Sequence, residues 1–243
     1  MKTISEITDY ALIIKDEYET NLNCILPYFT VEISEDENSG IIYDNQYILQ
    51  ISNLVEELST HEVNCILYHE FTHLCDLDSA KSIAGDLEIV SGISEIRSAY
   101  IEMKYILNCF NNNFQPNMDI FFTIEYKNES ISIFEFIKKA IERITNNFEK
   151  GSSLGTAKYC EYFLGQLKCL EELNVHWVEP NAYLQMLAEI FGERIYDIYS
   201  FVKTSFEITN DNINNCVLIL KDMLFYMMDK HMEIYGKEMH LEK

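Results

Sequence analysis

Apolar residues recur at three- and four-residue spacing along most of the chain, and this pattern predicts a mainly helical protein. One face of a first helix, predicted over residues 3–22, is formed by Ile4, Ile7, Ala11, Ile14 and Tyr18. Further helices are predicted over residues 60–77, 80–108, 129–149, 153–175, 180–203 and 210–235, with the stretch 80–108 either continuous or broken near a glycine. The scarcity of helix breakers, 3 Pro and 8 Gly in 243 residues, favours long helices.

Two short stretches instead alternate apolar and polar residues, which is typical of strands. Residues 28–34 follow Pro27 and form the first predicted strand, and a second strand is predicted at about 41–52, after an acidic turn that contains a glycine. An ordinary antiparallel hairpin packed on the first helix accounts for both. We therefore expect an α+β protein, mainly helical, with a small antiparallel sheet near its N-terminus.

The Asn-rich segment 108–117, which includes Pro116, is the clearest internal boundary. It predicts two subdomains, one over residues 1–108 that carries the strands and one over residues 109–243 that is a helical bundle. A bundle packed beside a smaller α+β unit would close one side of a cleft, which is a common place for a ligand site.

The chain is strongly acidic, with 18 basic and 40 acidic residues and a formal net charge of −22. This charge argues against nucleic acid or an anionic membrane as a partner. It is compatible with a basic or neutral polypeptide substrate, and equally with a charge that serves solubility.

Seven cysteines without short paired spacing, in a chain with no signal-peptide pattern, predict free thiols and a cytoplasmic protein. No apolar run reaches the 18 residues that a membrane-spanning helix needs. The sequence indicates nothing about the oligomeric state.

The candidate chemistry lies in the sequence His-Glu-Phe-Thr-His at residues 69–73. On a helix, His69 and His73 lie one turn apart on the same face, so both imidazoles can bind one ion. Glu70 lies beside them and can accept a proton from a metal-bound water without binding the metal itself, as in H-E-x-x-H metalloproteases. The pattern therefore predicts two zinc ligands and a general base.

The surroundings of the motif favour a buried active-site helix. From Val63 to Cys75 the only charged residue is Glu70, and unpaired charge is costly in a protein core. Ser59 and Glu62 match a capping box, so the helix is expected to begin at about residue 60. The alternative is a core helix whose two histidines are simply hydrogen-bonded.

A catalytic zinc normally has three protein ligands, so a third must come from elsewhere, and the downstream carboxylates are the candidates. The segment 91–100, Ser-Gly-Ile-Ser-Glu-Ile-Arg-Ser-Ala-Tyr, places Glu95 22 residues after His73. Together with the histidine motif, this segment resembles the zincin metallopeptidases of the gluzincin type, in which a glutamate on a following helix is the third ligand. The Glu-x-x-x-Ala element is also similar, more distantly, to that of ImmA/IrrE-type peptidases. Ala99 stands where thermolysin-like enzymes have an aspartate.

The resemblance implies a zincin-like core with a small sheet beside the active-site helix, and Zn²⁺ held by His69, His73 and Glu95. It also implies a zinc metallopeptidase that hydrolyses peptide bonds of a protein or peptide substrate, with Glu70 as the general base. An edge strand of the sheet could then pair with an extended substrate, instead of serving only as part of a packed hairpin.

Other acidic residues near the motif leave alternatives open. Glu88 and Glu102 stand seven residues on either side of Glu95, so the three carboxylates share one helical face. Glu88 is the alternative third ligand, and the rest of the row either contacts the ligands or forms a solvated stripe. Asp76 and Asp78 are too near His73 to bind the same ion and are expected to orient an imidazole or cap the helix. Close approach of the two helices is expected from Ser91, Gly92, Ser98 and Ala99.

Two alternatives to a peptidase remain. The chain could be a non-catalytic zincin-like module whose metal stabilises the fold and which recognises a protein partner, or a helical interaction protein in which the motif is coincidental. Candidates for stabilising a developing oxyanion are His176, His231, Tyr100 or another of the 16 tyrosines, and the sequence does not select among them.

Overall fold

The computed structural model describes residues 4–35, 39–81, 91–110, 118–126, 129–204 and 212–240. Its N-terminal part consists of α1 (Ile4–Leu22), β1 (Phe29–Ser34), β2 (Gly40–Asp44), β3 (Gln46–Ser52), α2 (Thr60–Lys81) and α3 (Ser91–Tyr105). A π-helical turn, Ile106–Phe110, follows α3. The remainder consists of β4 (Thr123–Tyr126), β5 (Glu129–Ser132), α4 (Ile133–Lys150), α5 (Ser153–Glu172), α6 (Pro180–Phe191), α7 (Arg194–Thr204) and α8 (Ile213–Tyr235). The architecture is α+β and mainly helical, as predicted.

The N-terminal sheet differs from the prediction in strand number and direction. The stretch predicted as one strand at 41–52 is two strands, because Asn45 adopts a left-handed conformation (φ 58°) and reverses the chain between β2 and β3. β3 lies between β1 and β2, so it pairs parallel with β1 and antiparallel with β2. The sheet is therefore mixed, and the prediction of an antiparallel sheet is wrong for β1. The predicted alternation does hold in β3, where Tyr47, Leu49 and Ile51 are buried.

Helix α2 begins as its capping sequence predicts. The Ser59 backbone N–H and hydroxyl donate to Glu62 Oε2 at 2.8 and 2.7 Å, and the Glu62 backbone N–H donates to Ser59 Oγ at 3.3 Å. These contacts satisfy backbone donors that the first helical turn leaves unpaired. The helix continues to Lys81, beyond the end predicted at 77.

The C-terminal helices follow the predicted periodicity, with two corrections. Residues 129–132 at the start of the helix predicted over 129–149 form β5 instead, and Ser132 then caps α4 in a second capping box with Glu135. The helix predicted over 180–203 is two helices, α6 and α7, because Gly192 has a positive φ of 72° at the junction. The sequence predicted one helix because the apolar spacing continues across the junction. The change in chain direction depends on the single residue Gly192, which the spacing does not reveal.

Helix α3 lies between α2 and α5, and its contact with α5 is unusually close. A Cβ atom at Gly165 of α5 would lie 2.0 Å from the Ile96 carbonyl oxygen and 3.0 Å from the Ala99 Cβ, so only glycine fits there. Gly92 also faces this side, since a Cβ there would lie 2.5 Å from Glu161 Oε1. The expectation that Gly92 and Ala99 allow close approach to the histidine helix is therefore wrong, because these residues face α5.

The buried apolar residues form one continuous core, which extends from Ile7 of α1 to Met239 beyond α8. This core crosses the boundary predicted at residues 108 and 109, and the division into two subdomains stays a prediction. Within the described ranges, no helix has both the length and the apolar character that crossing a membrane requires.

Candidate metal centre

The two histidines of the motif face α3 because the opposite side of α2 is buried against other elements. Phe71, between them in sequence, packs its ring on Tyr18 of α1 and on Phe29 of β1, with centroids 5.6 Å apart in both pairs. Residues two positions away on a helix point in roughly the opposite direction. Burial of Phe71 therefore turns His69 and His73 towards α3.

Glu95 of α3 meets both imidazoles, and the three side chains form the candidate metal centre. The two Nε2 atoms of His69 and His73 are 3.0 Å apart. Glu95 Oε1 lies 3.6 Å from His69 Nε2, and Glu95 Oε2 lies 3.3 Å from His73 Nε2. Within the part of the chain that the structure describes, this is the one group of three or more His, Cys, Asp or Glu side chains that could hold a metal ion.

The spacing of these atoms fits zinc. Donor atoms bound at about 2.0–2.1 Å to one tetrahedral ion lie about 3.3 Å from each other. The two imidazole nitrogens lie 3.0 Å apart, and each lies near this distance from one oxygen of Glu95, His69 at 3.6 Å from Oε1 and His73 at 3.3 Å from Oε2. Two imidazoles and one carboxylate are also the ligand set of many catalytic zinc sites, which leave a fourth position for water.

Unpaired buried oxygens provide a second test of the fit. Glu95 Oε1 and Glu70 Oε2 are buried and make no hydrogen bond to any described residue. A buried carboxylate oxygen that accepts no hydrogen bond is costly, because its lost hydrogen bonds to water are not replaced. A cation beside Glu95 and a water beside Glu70 would remove that cost.

His73 is oriented through a serine. The Ser94 hydroxyl donates to Asp76 Oδ2 at 3.0 Å. Ser94 Oγ must therefore accept its hydrogen bond from His73 Nδ1–H, with the two heavy atoms 2.8 Å apart. Asp76 is buried and also pairs with the Arg97 guanidinium. Burial raises the pKa of Asp76, although Arg97 and Ser94 oppose the shift. The expectation that Asp76 orients an imidazole is confirmed, with Ser94 as the intermediate.

His69 is oriented directly by a carboxylate. Its Nδ1–H donates to Glu102 Oε2 at 3.1 Å, and the hydroxyl of Tyr162 from α5 donates to the same oxygen. With both Nδ1 atoms acting as donors, neutral His69 and His73 would direct their Nε2 lone pairs at each other. Such lone pairs repel at 3.0 Å unless a proton or a metal ion lies between them.

The pKa values of His69 and Glu95 in the metal-free protein show that the surroundings of this centre favour positive charge. Burial opposes protonation of His69, but the hydrogen bond to Glu102 and the charges of Glu95 and Glu70 outweigh it and raise the pKa of His69 to about 9. Burial likewise disfavours a charged Glu95, but the hydrogen bond from His73 and the charge on His69 lower its pKa to about 2. Both shifts favour a protonated His69 beside an ionised Glu95.

The other candidate residues predicted from the sequence lie away from the candidate metal centre or outside the described residues. Glu88 falls outside the described residues. Tyr100 donates to Glu172 Oε2 at 2.7 Å, on the α5 side of α3, and His231 Nδ1 donates to the Lys237 carbonyl oxygen at 2.9 Å near the C-terminus. His176 forms a backbone bridge with Asp119. None of these three is among the described contacts of the centre.

Sequence reasoning missed Ser94 and Tyr162 and left the role of Glu102 open. Ser94 directly precedes the ligand Glu95 on α3, so a hydroxyl beside a predicted ligand was an available indication. Glu102 follows Glu95 at seven-residue spacing, which predicted a shared face but not a partner. Tyr162 is one of 16 tyrosines and lies far from the motif in sequence, so only the packing of α5 reveals it.

The chain was also compared with known proteins. No family model matches it, and neither a curated protein nor a solved structure matches it.

Proposed function

We propose that the chain is a zinc-dependent peptidase with a zincin-like core, which hydrolyses peptide bonds of a protein or peptide substrate. The observation that carries the proposal is the cluster of His69, His73 and Glu95, with Glu70 close enough to act on His69 by its charge and with a buried Oε2 that accepts no hydrogen bond from any described residue. A purely structural metal site needs ligands but has no use for an additional unpaired carboxylate. A hydrolytic site needs one as a general base.

The roles of the residues follow from their positions. His69, His73 and Glu95 would hold the zinc ion, which, when bound, polarises the scissile carbonyl and lowers the pKa of a coordinated water. Glu70 takes a proton from the attacking water as its oxygen adds to the carbonyl carbon. When the carbon–nitrogen bond breaks, Glu70 donates that proton to the leaving amine. Glu102 and Ser94 hold the imidazoles in the tautomers that direct Nε2 at the metal.

The substrate surface could include the sheet beside α2. Its order is β1, β3, β2, so β1 and β2 are the edge strands and each has one side without a neighbour within this sheet. An extended peptide could pair with such an edge through backbone hydrogen bonds. The negative net charge favours basic or neutral peptides over acidic ones.

A second candidate function is a non-catalytic module with a structural metal that recognises a protein partner. The observation in its favour is the limited exposure of the ligands, since the side chains of His69, His73 and Glu95 are 11, 17 and 11 per cent exposed. Low exposure of the ligands leaves a substrate little room to reach the ion, which favours a structural role. Measured turnover distinguishes the two candidates.

The first experiment measures zinc content by elemental analysis of protein purified without a metal-affinity tag. We expect about one zinc per chain in the parent, loss in Glu95→Ala, and retention in Glu88→Ala and Glu70→Gln. No zinc in any variant after reconstitution would contradict a metal centre. Zinc retained by Glu95→Ala would contradict the assigned ligand.

The second experiment measures cleavage of a proteome-derived peptide library, because a peptidase with one target can be inactive on a general substrate. Glu70→Gln is expected to keep zinc and to reduce turnover by about 10²–10⁴-fold, since it cannot accept the proton. Glu142→Gln, on the exposed surface of α4, is the control and should behave as the parent. A parent that binds zinc but cleaves nothing would favour the non-catalytic module.

A further inference from the structure

Helix α5, in the predicted C-terminal subdomain, contributes an aromatic side chain to the metal centre. The ring of Tyr162 stacks on the His69 imidazole, with centroids 5.6 Å apart and an interplanar angle of 28°. Its hydroxyl donates to Glu102 Oε2, the oxygen that also accepts from His69 Nδ1. Tyr162 therefore contacts both a metal ligand and the carboxylate that orients this ligand.

These two contacts constrain different motions of the ligand. An imidazole on a helix can rotate about its side-chain torsions, and stacking on an aromatic ring limits that rotation. The carboxylate of Glu102 can also rotate, and its side chain is only 10 per cent exposed, so water offers few alternative donors. The Tyr162 hydroxyl fixes the carboxylate, and the fixed carboxylate keeps His69 in the Nδ1–H tautomer.

The position of Tyr162 is itself fixed by the packing of α5. Gly165 lies three residues further along the helix, and its backbone packs directly on the Ile96 carbonyl and on Ala99 of α3. Cys160 and Phe163, on either side of Tyr162, are almost fully buried in the common core. Because α5 has little freedom to shift against α3, it presents Tyr162 at a fixed distance from His69.

We infer that Tyr162 is a positioning residue of the metal centre, which acts through Glu102 and the ring of His69 and makes zinc affinity depend on α5. The inference rests on the proposed zinc binding and extends it by assigning part of the site to the helical half of the chain. Removal of partners that orient metal ligands typically weakens metal binding by 10–100-fold. The loss from Tyr162 is expected in that range.

The test measures zinc affinity by competition with a chromophoric chelator. Tyr162→Phe removes the hydroxyl and keeps the ring, and Tyr162→Leu removes both. We expect roughly 10-fold weaker binding for the first and a larger loss, up to about 100-fold, for the second. Tyr159→Phe, three residues earlier on α5 and 39 per cent exposed, is the matched control and should stay within twofold of the parent.

A double-mutant cycle tests whether Tyr162 acts through Glu102. If it does, adding Tyr162→Phe to Glu102→Gln should weaken zinc binding by less than about twofold beyond Glu102→Gln alone. A general structural effect of losing the hydroxyl would instead add fully in the double variant. Additive losses would overturn the assignment of Tyr162 as a residue that acts through Glu102.

The outcomes separate this inference from the proposed function. A parent that binds zinc, together with Tyr162→Phe and Tyr162→Leu variants that bind it equally well, would overturn the inference and leave the metal centre intact. A parent that binds no zinc after reconstitution would overturn both. A loss in both Tyr162 variants that is absent in Tyr159→Phe, with a non-additive cycle, is the expected result.

Discussion

At the scale of single residues, the two histidines differ in what holds their Nδ1 atoms. His69 donates directly to the Glu102 carboxylate, whereas His73 donates to the neutral Ser94 hydroxyl. The Ser94 hydroxyl in turn donates to the Asp76 carboxylate. A direct carboxylate partner increases the basicity of an imidazole more than a hydroxyl does. The two ligands are thus held by different chemistry, and each can be tested separately.

Replacement of Ser94 by alanine should weaken zinc binding, because His73 loses the acceptor that fixes its tautomer. We expect about a 10-fold increase in the zinc Kd by chelator competition. Ser98→Ala is the matched control on the same helix, since the Ser98 hydroxyl is buried and makes no hydrogen bond to any described residue. Equal zinc affinity in the two alanine variants would show that Ser94 does not orient His73.

Protonation of His69 should make the stability of the metal-free protein depend on pH. The folded-state pKa of about 9 lies above the unfolded value of about 6.5, so the stabilising contribution is complete below 6.5 and is lost as pH rises through 9. We expect the free energy of unfolding to fall by on the order of 1–3 kcal/mol over this window.

The measurement is urea unfolding in the presence of a chelator, and the quantity compared is the difference between the parent and His69→Gln. Glu161 also contributes to the absolute slope, because burial and the charge of Glu95 raise its pKa to about 8. Taking the difference between parent and variant removes this contribution. A difference that stays constant from pH 6.5 to 9 would contradict the assigned protonation of His69.

At the scale of secondary-structure elements, α3 is the element on which the site depends. It supplies Glu95 as a ligand, and it supplies Ser94 and Glu102 as the partners of the two histidines. Its packing between α2 and α5 therefore determines ligand distances on one side and the position of Tyr162 on the other. A displacement of α3 by about 1 Å would change the distances between Glu95 and the two histidines by a similar amount.

Gly165→Ala tests that packing. An added Cβ would lie 2.0 Å from the Ile96 carbonyl oxygen, which cannot move without moving α3. Gly→Ala inside a helix otherwise stabilises by about 0.5–1 kcal/mol, so the expected destabilisation of about 1–3 kcal/mol has the opposite sign. Gly40→Ala, where no atom of the described residues lies within 4 Å of the new Cβ, should change stability by less than about 0.5 kcal/mol. Urea unfolding checks both, and a stabilised Gly165→Ala would contradict the described contact.

Local features of these elements could be predicted from sequence because their causes are local. The capping box of Ser59 and Glu62 is formed as expected, and the helical spacing of α1 and α2 is confirmed. The convergence of Glu95 on the two histidines matches the ligand set that the resemblance implied. Whether this set binds zinc and whether Glu70 acts as a base stay predictions.

The features that sequence did not predict depend on contacts distant in the chain or on single backbone conformations. Asn45 and Gly192 each turn the chain through a positive φ, while the apolar spacing around them continues unchanged. The parallel pairing of β1 with β3 depends on the order of three strands, which alternation alone does not specify. Tyr162 lies on α5, far from the motif in sequence, and Gly165 of the same helix allows α5 to pack closely on α3.

At the scale of the whole molecule, the candidate metal centre lies where both predicted halves of the chain meet one core. The ligands come from α2 and α3, a supporting contact comes from α5, and the buried apolar residues are continuous throughout. The net charge of −22 adds a long-range field that favours a divalent cation at this site. Metal binding and folding of the whole chain should therefore be coupled.

Removal of zinc should lower the thermal stability of the entire molecule in one transition. Free zinc at 100 times its Kd stabilises the folded state by about 2.7 kcal/mol, and a chain of this length shifts its Tm by about 2–4 °C per kcal/mol. We expect a chelator to lower the Tm by about 5–10 °C, with far- and near-ultraviolet circular dichroism changing together. Glu95→Ala, which lacks a ligand, should show no response to zinc or chelator. A separate early transition in the zinc-free parent would mean that the histidine helix unfolds independently of α5, in conflict with the single core that joins them.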